Sequence, residues 1–218
     1  MSAVVPHIIL NNTFLLSANR CIFWQEKRVL IVSDLHLCKT GHFRKSGIAI
    51  PQTVFKEDMQ RLVTQIQLFK PQQLIIIGDM FHSEANKEHD FFLKWRNDFG
   101  SLPMHLVKGN HDILKEEWYS IANITLHSCE HVIENFVFVH DVTDCALPNK
   151  GYVFSGHIHP AITITGLGKQ ALRFPCFYFG KQYAVLPAFS KFTGTYGIEP
   201  KAGENVFALV KQTIMHLK

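Results

Sequence analysis

The sequence predicts an α/β sandwich, a sheet carrying helices followed by a second, all-β sheet stacked on it. Two observations carry that expectation. From Arg28 to Val107, short apolar runs alternate with segments of helical periodicity, giving the order β-α-β-α-β. Beyond Ala122 the helical periodicity stops, and only short apolar or alternating runs follow. A third observation concerns chemistry: most of these runs end in Asp, Asn or His.

Arg28–Val32 (RVLIV) is rich in β-branched residues and reads as a strand. Gln52–Lys70 reads as a helix, with Phe55, Met59, Leu62, Val63, Ile66 and Phe69 spaced by three and four between Pro51 and Pro71. Leu74–Ile77 (LIII) is a buried-strand pattern, and residues 84–99 form a second helix with Phe92, Trp95 and Phe99 on one face. Met104–Val107 makes a third strand, and a short helix falls near Glu116–Ala122. The second sheet is expected from Val132–Val139, Tyr152–Phe154, Ala161–Thr165, Tyr183–Ala188 and Val206–Val210.

Composition bounds the rest. A length of 218 residues with 47% hydrophobic content fits a single domain over residues 1–218. The net charge of +4 is mildly basic, compatible with an anionic substrate. Five scattered cysteines (Cys21, Cys38, Cys129, Cys145, Cys176) without a C-x-x-C pair argue against a disulfide framework and a zinc ribbon. The N-terminal residues lack a signal-peptide pattern, and no apolar run nears the roughly 20 residues that span a bilayer. The expected compartment is the cytoplasm, and the two Asn-x-Thr triplets at Asn11 and Asn123 are chance matches there.

The chemistry lies in the strand ends. VLIV runs into Ser33-Asp34-Leu35-His36, LIII into Gly78-Asp79, and HLV into Lys108-Gly109-Asn110-His111-Asp112. FVFV runs into His140-Asp141, and YVF into Ser155-Gly156-His157-Ile158-His159. Carboxyl ends of strands border the crevice where α/β sheets bind ligands. Imidazole and carboxylate together suit Mn, Zn, Fe or Co, and cysteine is absent from the set. Seven candidate ligands (Asp34, His36, Asp79, Asn110, His140, His157, His159) exceed the needs of one ion, so two divalent ions are expected. Two aspartates leave such a site positive, which favours a phosphate group.

The blocks D-x-H, G-D, G-N-H-D, a lone His after a strand, and G-H-x-H occur here in the order found in the calcineurin-like metallophosphoesterase superfamily, which the chain resembles from Ser33 to His159. The phrases SDLHLCKTGHFRKSGIAIP, GDMFHS, GHIHPAI, LRFPCFYF and LPAFSKFTG are closest to the bacterial ligase-associated DNA damage response endonucleases. This resemblance implies a four-layer αββα sandwich with a dinuclear site at its strand ends. It places Asp34, His36 and His159 on one ion, and Asn110, His140 and His157 on the other, with Asp79 bridging. It makes His111 the residue that contacts the phosphate or protonates the leaving oxygen, and Asp112 the one that orients His111. Manganese is the first expectation for the ions, with Zn, Fe or Mg as alternatives. Asp141 departs from the superfamily, where glycine usually follows the lone histidine.

The expected activity is hydrolysis of phosphodiester bonds, in DNA if the narrower resemblance holds, with DNA-repair proteins as the partners it implies. Two other readings remain: a phosphoesterase for small nucleotides or nucleotide-linked lipids, and a non-catalytic protein-binding scaffold. No ligand position is substituted, which weighs against the scaffold. Lys39, His42, Arg44 and Lys45, just after the first motif, and His82, after Asp79, are candidate substrate contacts. The aromatic runs Phe174–Phe179 and Phe189–Phe192 read as core before base-stacking platforms. Gly166–Lys169 lacks the spacing of a phosphate loop, and Glu88-His89-Asp90 reads as a solvated helix face.

Overall fold

A computed structural model of the chain describes residues 3–37, 53–81, 87–144, 151–166 and 170–217. Lys39, His42, Arg44, Lys45 and His82 lie outside the described residues. In chain order the elements are β1 (Val4–Ile9), β2 (Asn12–Ser17), β3 (Cys21–Trp24), β4 (Val29–Ser33), α1 (Thr53–Phe69), β5 (Gln73–Ile77), α2 (Lys87–Asp98) and β6 (Met104–Val107). There follow α3 (Glu116–Ile121), β7 (Ile124–His127), β8 (Glu130–Ile133), β9 (Phe136–Val139), β10 (Tyr152–Ser155) and β11 (Pro160–Thr165). The last are β12 (Ala171–Phe179), β13 (Tyr183–Val185), β14 (Tyr196–Gly197), β15 (Asn205–Val210) and β16 (Thr213–Leu217).

The first sheet runs β1-β2-β3-β4-β5-β6-β7. Its parallel half, β4 to β7, is linked by α1, α2 and α3, so all four carboxyl ends open on one edge. Its antiparallel half, β1 to β3, is an N-terminal meander that the sequence reading did not single out. The Leu10-Asn11 loop between β1 and β2 has both residues at positive φ, the pattern of a type I′ hairpin turn. The second sheet runs β14-β11-β12-β13-β10-β9-β8, with the β15-β16 hairpin paired to β12. Val132–Val139 is therefore not one strand: it turns at Glu134-Asn135, with Glu134 at φ 54°.

Two apolar layers follow from strand alternation. Met59, Leu62 and Ile66 of α1, Phe92 of α2, and Tyr119 of α3 bury against Leu30, Val32, Leu74, Ile76, Met104 and Leu106. Each such side chain contributes roughly 1.5–3 kcal/mol of transfer free energy. The opposite face of the same strands, Val29, Ile31, Ile75, Ile77 and Val107, meets Phe136, Phe138, Phe154, Phe177, Phe179 and Phe207 of the second sheet. Most of the aromatic runs are therefore core, as are Phe177, Phe179 and Phe189, whereas Phe192 is exposed. His89 corrects the sequence reading: it is buried against Phe81 and Trp118, because its turn of α2 faces the sheet.

Arg96 fastens this layer. It is 2% exposed and donates to four main-chain carbonyls: Nε to Ala122 at 3.1 Å, Nη2 to Leu102 and Asn123 at 3.0 Å each, and Nη1 to Phe99. It thereby closes the C-terminal ends of α2 and α3. Burial holds its guanidinium below the usual arginine range. Arg96→Ala removes this donor from all four carbonyls, of which Phe99 O keeps the Leu102 N–H, and is expected to destabilise the fold by about 3 kcal/mol, read as a lower midpoint in urea unfolding.

Candidate metal centre

Each strand-end motif has its own local reason. The segment after β4 keeps running beside the segment after β5: Asp34 N–H donates to Gly78 O, His36 N–H to Asp79 O, and Leu37 N–H to Met80 O. From the other side, Phe189 N–H donates to Ser33 O and Ser190 N–H to Asp34 O. The 186–190 segment is braced in turn by Arg20, which donates to Ala188 O and Ser190 O at 3.1 and 2.7 Å. Arg61 pairs with Asp58 at 2.8 Å, stacks on the Phe189 ring at 4.3 Å and donates to Phe189 O. Gly156 N–H donates to His140 O, joining the ends of β9 and β10.

The seven candidate ligands converge from both sheets. Asp34, His36 and His159 each offer one atom to a group lying within 4.8 Å of one another, and Asp79, His140 and His157 do the same. His36 Nε2 and His159 Nε2 are 3.2 Å apart, and His157 Nδ1 and His140 Nε2 are 3.0 Å apart. Two nitrogens held at about 2.0–2.1 Å by one ion would lie roughly 3–3.4 Å apart. Asn110 joins the second group, its Oδ1 2.9 Å from His140 Nε2. Asp79 stands between the groups: Oδ1 is 3.5 Å from His140 Nε2, and Oδ2 is 3.9 Å from His36 Nε2. Asp34 Oδ1 lies 3.6 Å from His159 Nε2 and 3.9 Å from His140 Nδ1. Both aspartates are buried, and the nitrogen-and-oxygen donor set fits divalent ions of the first transition row.

Three glycines of the strand-end motifs make room for this convergence. A Cβ on Gly78 would sit 1.9 Å from His140 Nδ1, one on Gly109 2.3 Å from Asp79 Oδ1, and one on Gly156 2.4 Å from Asp34 Oδ2. Each precedes one candidate ligand and lies against another, a signal readable in sequence only once the ligands are known to meet. Asp34, His36, Asp79, His157 and His159 all have positive φ, at 50°, 44°, 44°, 68° and 52°. Non-glycine residues held there cost on the order of 1–3 kcal/mol each, and such strain gathers at functional sites.

The surrounding groups fix orientation. His159 Nδ1 is 3.1 Å from Gly194 O, which directs Nε2 toward Asp34. His157 N–H donates to Asp34 Oδ1 and Oδ2 at 3.3 and 3.1 Å. His111 N–H donates to Asp79 Oδ1 at 2.9 Å, and its ring stands edge-on to His36 with centroids 5.7 Å apart. Asp112 is fully buried and accepts main-chain N–H from Met80, Phe81 and Gly109, clamping the loop after β6 to the loop after β5. Burial pushes its carboxyl up to about 7, with Asp79 adding to the rise and the three N–H groups opposing it. Asp141 Oδ2 lies 3.6 Å from His157 Nε2, on the opposite side of that ring from His140. Burial raises the Asp141 carboxyl, but the Thr143 hydrogen bond and the facing His157 and His140 outweigh it and hold it below the usual range.

The sequence matches the calcineurin-like phosphoesterase family over residues 27–186, well over half of the chain. The chain belongs to that family. The calcineurin-like phosphoesterase fold is also that of the Pseudomonas putida nuclease MPE, whose crystal structure matches with a TM-score of 0.82 and 26% identity over 99% of this chain and 100% of that one. The phosphoesterase Yfce from E. coli matches at a TM-score of 0.45 and 14% identity, over 87% of this chain and 97% of that one. No curated protein sequence matches this chain. As a calcineurin-like phosphoesterase the chain is a metal-dependent hydrolase of phosphoesters, and its His/Asp clusters fit divalent ions. Among the described residues no helix is long and apolar enough to cross a membrane.

Proposed function

We propose that this phosphoesterase is a dinuclear phosphodiesterase acting on DNA, with Asp34, His36 and His159 holding one ion, Asn110, His140 and His157 the other, and Asp79 between them. The observation that carries the reading is the carboxylate of Asp79, which turns one oxygen toward each histidine group. Two divalent ions there, manganese first, would supply Lewis acidity and an activated water for in-line displacement at phosphorus.

The chain's own groups do the rest. Asp34 and Asp79 are both buried, and with two divalent ions bound their two charges would leave the site net positive, favourable to an anionic phosphodiester. His111, tied through its N–H to Asp79, sits at the rim of this centre and protonates the departing oxygen. Asp112 acts as a positioning residue through the loop that carries His111. The nuclease similarity at 26% identity over nearly the whole chain supports a nucleic-acid substrate. DNA, the narrower endonuclease family and DNA-repair partners rest on the loop phrases that resemble that family. Lys39, His42, Arg44, Lys45 and His82 are the candidate substrate contacts.

One observation favours a smaller substrate. A cavity of about 490 Å³ is lined by Tyr178, Tyr183, Tyr196 and Ile158, the residue between His157 and His159 in the chain, with room enough for a nucleoside.

Metal-stripped protein assayed on bis-p-nitrophenyl phosphate and p-nitrophenyl phosphate, with Mn, Zn, Mg or no metal, tests the core of the proposal. Diester cleavage that needs added metal supports it, and preference for the monoester sinks it. Circular DNA then separates endonuclease from exonuclease action, and nucleoside diesters compete only if the cavity sets the substrate. His111→Ala is expected to lower turnover of an alkyl-linked diester by about 10²-fold or more, yet leave p-nitrophenyl diesters nearly unaffected, because that leaving group departs without a proton. Equal losses on both substrates would remove the acid role.

A further inference from the structure

A second cluster of imidazoles lies outside the strand-end centre. His105 of β6, His127 of β7 and His131 of β8 bring one ring nitrogen each within 4.8 Å of one another. They come from three strands and both sheets, since β7 edges the first sheet with β6 beside it, and β8 edges the second. Alternation explains how they meet. Met104 and Leu106 face the helices, so His105 shares the inter-sheet face with Val107, and His127 lies in register with Val107 on that face. His131 pairs with Phe138 and points to the same apolar layer beside Ile133.

Three imidazoles at the margin of an apolar layer are costly unless each nitrogen finds a partner. His105 Nδ1 and His127 Nε2 are 3.1 Å apart, and the His131 ring lies parallel to His105, with centroids 4.8 Å apart and planes inclined by 7°. The Nε2 of His131 is buried with no hydrogen-bond partner among the described residues. The 3.1 Å separation is also close to that between two nitrogens on a single ion, and it matches the spacings at the strand-end centre.

We infer that His105, His127 and His131 form a separate metal site for a divalent transition ion, zinc foremost, which pins the free edges of the two sheets together. The all-imidazole donor set selects zinc, copper or nickel over manganese and magnesium. All three residues are half-buried, at the margin of the inter-sheet layer. Burial, together with the facing imidazoles, keeps His105 and His131 below the usual histidine range, and burial does so for His127, a direction that favours the neutral ring a metal needs. The ion would close β7 against β8 across the short Ser128-Cys129 connection, where strand hydrogen bonds cannot link the two sheets.

The test is the difference in bound zinc between the wild-type chain and His131→Phe, a substitution that keeps ring volume in an apolar setting. The His127→Gln variant is measured in parallel. After dialysis against zinc, wild type is expected to hold one more equivalent per chain than either variant, and the zinc-induced rise in Tm is expected to shrink in both. Manganese-dependent diester cleavage by His131→Phe, or native far-UV circular dichroism, confirms that the variants fold. Equal zinc contents in all three proteins overturn the proposal and reduce the cluster to hydrogen-bonded imidazoles. Crystals grown with zinc give a check free of substitutions. An anomalous peak among the three rings upholds the site, and its absence from zinc-saturated crystals rejects it. Because both readouts concern these rings alone, they stand or fall separately from the phosphodiesterase reading.

Discussion

Asp79→Asn is expected to lower diester turnover by on the order of 10³-fold while leaving the chain folded. The substitution is nearly isosteric, and the amide Oδ1 still accepts the His111 N–H that now goes to the carboxylate. What changes is charge and the second anionic oxygen, the one facing His36. Metal content, measured on the same sample, should fall from two equivalents at this centre to one or none. An unchanged circular dichroism spectrum with activity lost would place the defect in the centre. Wild-type turnover at saturating manganese would remove Asp79 from its bridging role and with it the dinuclear reading.

The second large effect is expected from a single methyl group. Gly78→Ala puts a Cβ 1.9 Å from His140 Nδ1 at a φ of 65°, so the imidazole must leave its place or the loop after β5 must move. Either displaces His140 from Asn110 and His157, and turnover is expected to drop about 10²-fold, together with the affinity of the second ion group. Gly203→Ala is the control: its φ is 86°, but no atom lies within 4 Å of the added Cβ. It carries only the left-handed backbone penalty of about 1–2 kcal/mol and should keep full activity. Comparable activity losses in the two variants would mean that backbone strain, not the close approach to His140, accounts for the effect.

What the sequence made legible follows from how locally each feature is encoded. The parallel strands β4, β5 and β6 are continuous apolar runs buried on both faces, and a ligand-type residue follows each, so frame and centre could be read together. The helix Thr53–Phe69 lay within a residue of its expected ends because its apolar spacing is unbroken. The meander β1–β3 was harder to see: Pro6 interrupts β1, and the strands are apolar on both sides, so no alternation marks them. The break between β8 and β9 escaped notice because its turn uses Glu134-Asn135 rather than glycine. The roles of Gly78, Gly109 and Gly156, and the meeting of His105, His127 and His131, depend on which strands become neighbours. Spacing along the chain does not carry that information.

Each ion group draws from both sheets: Asp34 and His36 against His159, and Asp79 and Asn110 against His140 and His157. On the dinuclear reading the layers are therefore clasped at one rim, and five strained backbone positions are held in place by what they clasp. Chelation would then do more than silence the enzyme. It would let the rim gape, shorten the lifetime of the folded chain, and hand the loops to proteases. In a cell short of metal, the amount of this protein, and not only its activity, would track the supply.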